Sequence, residues 1–444
     1  MSRWAEATFA GWGRVHQARG LAARPERMAE LDAAFAAEGS LLAHGAGRSY
    51  GDVALNGAGR TLVTARLDRL LSFDADTGVL VAEPGVTFAD LFRVFVPKGF
   101  VPPVAPGTGF ATLGGGVAND VHGKNHHVLG SLGQHLDWVD LRLPDGSRRR
   151  IQRSDDAPLW RATIGGLGLT GVIERVALRM RPVASNALTV RKRRIRDLDE
   201  FLAAFADESQ TEYVVGWIDA LARGAALGRG ILETASPAAE DIVVPPSRSR
   251  RVPFDLPPFA LNSATVGAFN ALYRRHVPTS GSTKTMTYER FLFPLDAIHQ
   301  WNRIYGRRGF HQFQCVLPFA DGAPTLRRLL ESIARSGRGS FLAVLKRMGE
   351  QGRGYMSFPT PGLTLALDFP NAPGATALIA ELERITADNG GRVYLAKDGT
   401  LAPELLPAMY PDLSQFRALL DEIDPGRRFT SDMSRRLAIR PVTP

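Results

Sequence analysis

The sequence predicts an α+β protein of two units, the second a mixed sheet with helices packed on it. Three observations lead there. Short apolar or alternating runs bounded by glycine and proline recur along the 444 residues, with stretches of helical period between them. Glycine-rich turns crowd the first part, at 44–52, 106–116 and 165–171. From 184 to 391 glycine turns thin out, and aromatic and long basic side chains take their place.

Residues 28–37 have the period of a short amphipathic helix. Residues 41–43 then enter a strand that delivers the turn 44–52. A hairpin around Asp76-Thr77-Gly78 joins strands at 67–73 and 78–83, followed by a helix at 88–96. Pro102, Pro103 and Pro106 force an extended entry into 106–135, a stretch dense in glycine and carrying four histidines. Glycine at this density costs backbone entropy and suits chain that lies close against a ligand. A strand at 136–143, a helix at 157–163 and a half-buried strand at 172–180 close the first unit near residue 183. In the second unit 309–318 and 363–369 read as strands, and 324–336 and 374–389 as helices. The Pro/Ser/Arg-rich segment 236–258 reads as a mobile loop beside a site. A helix at 413–423 marks the tail, and no internal repeat or heptad pattern is visible.

Composition excludes several classes. Cys315 is the only cysteine, so one chain holds no disulfide and no thiolate cluster; its place in Phe313-Gln314-Cys315-Val316-Leu317 suits a small core residue. No apolar run approaches the roughly 18–20 residues that span a bilayer, and the N-terminal stretch has no signal-type apolar core. A cytoplasmic protein, soluble or peripheral, is expected. The net charge of +9 gathers at 191–196 and 248–251, which suits a solvated face, an anionic membrane surface or a phosphorylated substrate. No nucleic-acid-binding module accompanies these short runs, so no nucleic-acid partner is expected.

The spacing Gly166-x-Gly168-x-x-Gly171 matches a dinucleotide fingerprint, but its glycines follow a helix and precede a strand, the reverse of the Rossmann arrangement. The loops 44–52 and 106–116 each follow extended chain. Backbone N–H groups in two such turns can hold a pyrophosphate from either side without a helix dipole, which points to FAD. His122, His126 and His127 lack an acidic or cysteine partner at ligand spacing, and Lys124 between them would repel a cation, so no metal is expected. His122 reads as a polar contact to cofactor or substrate, and His126 and His127 as residues that shape the loop. Neither a G-x-S-x-G elbow nor a Walker A lysine motif occurs.

The loop His44-Gly45-Ala46-Gly47-Arg48-Ser49-Tyr50-Gly51-Asp52, the turn Pro106-Gly107-Thr108, Gly168-Leu169-Thr170-Gly171 and Asp120-Val121-His122-Gly123-Lys124-Asn125-His126-His127 resemble the vanillyl-alcohol-oxidase type flavoproteins. With Tyr394-Leu395-Ala396-Lys397-Asp398 and the terminal Ser431-Asp432-Met433-Ser434-Arg435-Arg436-Leu437, the chain more narrowly resembles the decaprenylphosphoryl-β-D-ribose 2′-oxidase family, over nearly its whole length. The resemblance implies a two-domain PCMH-type FAD-binding fold: an FAD domain at 1–183, an inserted substrate domain at 184–391, and a tail at 392–444 that completes the FAD domain. It implies oxidation of the 2′-hydroxyl of a polyprenyl-phosphate pentose to a keto sugar. A separate NAD(P)H-dependent reductase then completes an epimerisation to arabinose.

The resemblance also carries residues. For FAD these are Ala43, His44, Gly45, Ala46, Gly47, Arg48, Ser49, Tyr50, Gly51, Asp52 and Val53; then Gly107, Thr112, Leu113, Gly114 and Gly115; then Asn119, Asp120, Val121 and His122, with Ile173 and Tyr394. Arg48 stands where many relatives carry the histidine that bonds FAD covalently, so FAD is expected without a covalent link. Lys124, Trp217, Gln312, Gln314, Lys346 and Lys397 are expected around the sugar phosphate: lysines for the phosphate charge, glutamines for hydroxyls. Lys397 is the first candidate for the catalytic group, with Tyr50 and His122 behind it. Thr364 and Ala366 stand where the mycobacterial type has asparagine and cysteine, which alters pocket polarity. A lipid-linked substrate implies peripheral membrane contact at the inner face of the plasma membrane, for which the 236–258 loop is the candidate. The alternative is an FAD-dependent oxidase of free polyols, aldoses or aldonolactones.

Overall fold

The computed structural model describes residues 4–155, 157–244 and 249–440. Strands β1 (Ala5–Ala10), β2 (Gln17–Ala23), β3 (Leu41–His44) and β4 (Arg60–Val63) form a sheet in the order β1-β2-β4-β3, with helix α1 (Met28–Phe35) leading into β3. The tail closes the open edge of β3: Leu41 N donates to Arg428 O at 2.7 Å, and Thr430 N to Leu41 O at 3.3 Å. The strands continue as β5 (Leu70–Asp74), β6 (Val79–Ala82), the short β7 (Phe100–Val101), β8 (Leu136–Arg142), β9 (Arg148–Gln152), β10 (Val172–Arg179) and β11 (Arg181–Pro182). They build an antiparallel sheet in the order β5-β6-β10-β8-β9 and a β7–β11 ribbon. Helix α2 (Phe88–Phe95) starts at a Thr87–Asp90 capping box and buries Phe88, Leu91, Phe92 and Phe95 in the core of this sheet. Helices α3 (Leu113–Ala118), α4 (His126–Leu129) and α5 (Pro158–Thr163) follow.

The remaining strands are β12 (Ala187–Ile195), β13 (Tyr213–Ile218), β14 (Gly230–Pro237), β15 (Arg250–Arg251), β16 (Ser282–Thr287), β17 (Ile298–His299), β18 (Phe310–Pro318), β19 (Ala343–Met348), β20 (Gly362–Pro370) and β21 (Arg392–Val393). Between them lie α6 (Leu198–Asp207), α7 (Ser263–Arg275), α8 (Tyr288–Leu292), α9 (Phe319–Ser336) and α10 (Ala375–Asp388); α11 (Leu406–Met409), α12 (Leu413–Ile423) and α13 (Asp432–Arg436) end the chain. Eight strands form one sheet, β16-β12-β14-β13-β19-β20-β18-β21.

This order corrects two sequence expectations. The chain runs β12-α6-β13-β14-α7-β16 and then β18-α9-β19-β20-α10-β21, so the same β-α-β-β-α-β unit occurs twice, joined where β13 pairs with β19. The repeat is one of topology that the side chains do not echo. The sheet is also antiparallel at every pairing rather than mixed. In a split unit the two strands joined by the first helix leave a gap that the third strand fills, so every neighbour runs the other way.

The two faces of this sheet differ. Phe313, Cys315, Leu317, Ala343, Leu345, Leu365 and Leu367 point toward α6, α9 and α10 in one continuous core. Their alternates Gln312, Gln314, Val344, Lys346 and Ala366 line a cavity on the other face. Helix α7 departs from α6: its Tyr273 packs with Trp217, Ile231 and Val277 on the cavity side. The 236–258 segment is tethered more than expected, since Arg250–Arg251 pairs with Ile298–His299 and Leu256 N donates to Arg303 O; residues 245–248 lie outside the described residues.

Helix α6 seats Phe201 over Gly216 and Gly230, where an added Cβ would lie 2.6 and 2.9 Å from its ring. Phe201→Ala should cost about 3–5 kcal/mol in urea unfolding, because the helix cannot sink further onto glycine to close the void.

Candidate active site

The cavity holds about 1060 Å³, at the upper end of the roughly 300–1,000 Å³ of small-molecule sites. Its walls are the first glycine loop, the 105–124 segment and the polar face of the large sheet. Each wall follows from local chemistry. Strand β3 ends at His44 and releases the loop; Gly47 adopts φ 62°, which a Cβ would strain. Strand β18 alternates polar and apolar residues, so its glutamines face the cavity while Phe313 and Cys315 stay in the core.

The cradle fits a dinucleotide. A Cβ at Gly45 would meet Thr112 Oγ1 at 2.4 Å and one at Gly114 would meet Pro84 Cβ at 2.6 Å, while the space beside Gly107 is open. Buried Asn119 Oδ1, Arg48 Nε and His122 Nδ1 lie along this wall without a protein partner. Unpaired buried polar atoms of this kind call for a polar ligand. The second glycine loop differs from expectation: residues 113–118 form α3, capped by Thr112, whose Oγ1 accepts from Gly115 N. Gly114 and Gly116 press against Pro84 and Phe88, and this close packing of a helix on neighbouring chain is why glycines are tolerated there.

Of the residues predicted for FAD, Ala43, Gly45 to Tyr50, Val53, Gly107, Thr112, Gly114, Gly115, Asn119, Val121, His122, Ile173 and Tyr394 line the cavity. Five do not, and each supports the wall instead. Buried His44 donates to the Ala54 carbonyl through Nδ1 at 2.9 Å. Gly51 lies against Asp398 O, Leu113 is in the core, and Asp52 pairs with Arg436. Asp120 is fully buried and accepts from Ser131 Oγ at 2.9 Å, Ser357 Oγ at 2.6 Å and Gly133 N at 2.9 Å. Past Lys124 the chain turns away: Asn125 donates to Pro103 O, and His126 Nδ1 accepts from Gly349 N.

All six residues predicted for the substrate line the same cavity. Burial lowers Lys346 to about 7, helped by the charges of Lys397 and Lys124; it lowers Lys397 to about 8 against the opposing pull of Asp368. Lys124 is lowered to about 8 by burial; its Nζ donates to Phe291 O at 2.5 Å and lies 4.1 Å from that ring's centre. Lys397 Nζ stands 5.0 Å from the centre of the Tyr50 ring.

Neighbouring groups fix which atoms face inward. Gln312 is opposite Asp368 across β18 and β20, and its Nε2 donates to Asp368 Oδ1 at 2.5 Å; Tyr305 donates to Oδ2 at 3.1 Å. Gln312 Oε1 lies on the other side of the amide, buried and without a hydrogen-bond partner among the described residues. Gln314 Nε2 reaches Thr364 Oγ1 and His122 Nε2, each at 3.1 Å. Burial, with the nearby Lys346 charge, keeps the His122 ring neutral, and among the described residues its Nδ1 has no hydrogen-bond partner.

Asp368 and Tyr305 were missed in the sequence. Asp368 is held up to about 7 by burial, against the pull of Gln312 and Lys397. The alternation Thr364-x-Ala366-x-Asp368 places it on the cavity face and is the signal that finds it. Trp12 and Phe110, which flank the Arg48 guanidinium at 4.4 and 5.3 Å, carry no such signal.

Residues 22–152 match the FAD binding domain family, and residues 306–437 match the D-arabinono-1,4-lactone oxidase family. The decaprenylphosphoryl-beta-D-ribose oxidase of Mycolicibacterium smegmatis is 34% identical over 449 residues, covering 97% of each chain. An uncharacterised Streptomyces coelicolor protein of the mprA 5′ region is 36% identical over 375 residues, covering 80% of this chain and 100% of its own. The FAD-linked oxidoreductase ptmO of Penicillium ochrochloron is 33% identical over 118 residues, 26% of each chain. The cofactor is FAD and the protein is an FAD-dependent oxidoreductase.

Arg436 joins the two sides of the site, donating to both Asp52 oxygens and to Asp398 Oδ2, all at 2.8 Å. Arg436→Ala leaves both carboxylates unpaired and should cost about 3–5 kcal/mol in urea unfolding, with loss of bound flavin absorbance.

Proposed function

The chain belongs to the decaprenylphosphoryl-β-D-ribose oxidase family, and on that premise we propose that it oxidises the 2′-hydroxyl of a polyprenyl-phosphate pentose to the 2′-keto sugar. The observation that carries this reading is the group of buried lysines around one cavity, Lys346 above all: its charged neighbours are Lys124 and Lys397, with no carboxylate acting on it. A buried lysine charge is unfavourable without an anion, and a phosphodiester supplies one.

The residues take the following parts. The loop from Gly45 to Tyr50, with Thr112, Gly115 and Asn119, holds FAD; no histidine stands at Arg48, so the cofactor is held without a covalent bond. Bound FAD would supply the acceptor for the hydride leaving the carbinol carbon. Lys346 and Lys124 neutralise the phosphate. Gln312 Oε1 accepts a sugar hydroxyl and orients the ring. Lys397, lowered to about 8 by burial, takes the hydroxyl proton as a neutral amine, with the Tyr50 ring beneath it and His122 on the wall of the same cavity. The keto product requires a separate NAD(P)H-dependent reductase to become the arabinose epimer. The lipid tail requires peripheral contact with a membrane at its cytoplasmic face; among the described residues no helix is long and apolar enough to cross one.

A second reading, an oxidase of free aldoses or aldonolactones, draws on the lactone-oxidase match at 306–437. Anaerobic flavin bleaching separates the two. Farnesyl- and decaprenyl-phosphoryl pentoses should bleach the flavin quickly and free aldonolactones slowly; the reverse order establishes the second reading.

Lys397→Ala should slow bleaching by roughly a hundredfold or more while flavin stays bound. Because the neutral amine is the working form, the wild-type bleaching rate should rise with pH through about 8 and then level, and the variant should lose that rise. Acid precipitation should release all the flavin into the supernatant.

A further inference from the structure

Helix α7 forms one wall of the cavity, and its other side is exposed among the described residues. Its inner side is anchored: Asn270 Nδ2 donates to Asp219 Oδ1 at 2.8 Å, and Tyr273 packs on Trp217 with ring centres 4.8 Å apart. Phe269 stacks on Tyr273 at 5.7 Å, and both rings line the cavity. The outer side presents Ala264, Ala268, Leu272 and Arg275, one helical stripe, all exposed.

The surroundings extend this face. Among the described residues ten large hydrophobic side chains are exposed, and six of them, Val243, Val244, Phe254, Phe259, Phe269 and Leu272, fall between 243 and 272. Phe259 is 78% exposed and Leu272 63%. Scattered exposure is ordinary, but this concentration beside a cavity mouth marks a contact surface. Around Phe259 and α7 the sequence carries no Asp or Glu between Asp255 and Glu289, while exposed Arg275 and Lys284 lie in that span; Val243, Val244 and Phe254 stand beside the acids Glu240, Asp241 and Asp255 and are left out of the face.

We propose that the outer face of α7 with Phe259 docks on an anionic bilayer, Leu272 and Phe259 entering the acyl boundary and Arg275 meeting headgroups. An exposed helix side bearing Leu272 and Arg275, in a stretch of chain from 256 to 288 that carries cations and no acids, is the pattern of an interfacial helix and fits an anionic leaflet. Continuity with the cavity gives the docking a purpose: a lipid tail leaving the site past Phe269 and Tyr273 emerges at the bilayer and crosses little water. The surface stands on its own observations, and this purpose rests on the lipid-linked substrate proposed above.

The test is co-sedimentation of the full-length flavin-loaded protein with phosphatidylcholine vesicles, with and without added phosphatidylglycerol. The wild type should pellet with the anionic vesicles and bind roughly tenfold more weakly without phosphatidylglycerol. Leu272→Glu and Phe259→Glu should each weaken anionic-vesicle binding by about tenfold, with far-ultraviolet circular dichroism and bound-flavin absorbance unchanged. The inference is overturned if the wild type stays in the supernatant, or if both variants pellet as the wild type does. A dimer in sedimentation velocity that Leu272→Glu dissolves also overturns it and reassigns the face to a second copy. A wild type whose flavin is bleached by soluble farnesyl-phosphoryl ribose but which ignores vesicles removes the docking surface and leaves the substrate reading; vesicle binding without bleaching does the opposite.

Discussion

The site depends on Arg436. It joins Asp52, 384 residues away in the chain, to Asp398, so the first glycine loop and the C-terminal helix are fastened to each other and to the turn that carries Lys397. Asp398 in turn accepts from Thr400 N and Leu401 N, each at 2.8 Å, which fixes that turn. The cradle proposed for the cofactor and the amine proposed to meet the substrate thereby share one base. Gly51 belongs to the same arrangement, since any side chain there would collide with Asp398 O. The tail repeats the fastening by closing the edge of β3 through Arg428 and Thr430.

The large sheet supplies the other half. Alternation along antiparallel strands lets one sequence do two jobs: one set of residues builds a dry core under α6, α9 and α10, and the intervening set presents glutamine and lysine to a cavity, with Asp368 buried behind Gln312. Register does the fine work. Gln312 stands opposite Asp368 and donates to it, and Gln314 lies within hydrogen-bond distance of Thr364 and His122. Inward-facing acceptors and donors are therefore set before any ligand arrives, which lowers the reorganisation needed in the reaction.

Much of this was legible in the sequence where a local signal exists. The glycine turn at 44–52 follows a strand as its pattern demands, and the reversed order around 165–171 excludes a Rossmann site from spacing alone. The histidines at 126 and 127 read as shaping residues, and His126 holds Gly349 N. What escaped the sequence is long-range or topological. The repeated β-α-β-β-α-β unit has no matching side chains, and α3 was hidden because glycine-rich chain rarely forms helix; tertiary packing against Pro84 and Phe88 overrides that propensity. Asp52 and Asp120 look like ligand contacts in the motif, whereas their side chains are paired within the protein, with Arg436, Ser131 and Ser357, which no local pattern marks as partners.

The central claim is that the buried lysines make the cavity select a phosphate-bearing sugar. The most direct measurement compares anaerobic flavin bleaching by farnesyl-phosphoryl ribofuranoside with that by the uncharged farnesyl ribofuranoside, at equal concentration and neutral pH. The account predicts a preference of roughly a hundredfold or more for the charged compound, as expected for an anion paired with desolvated lysines. Equal rates for the two compounds would contradict it.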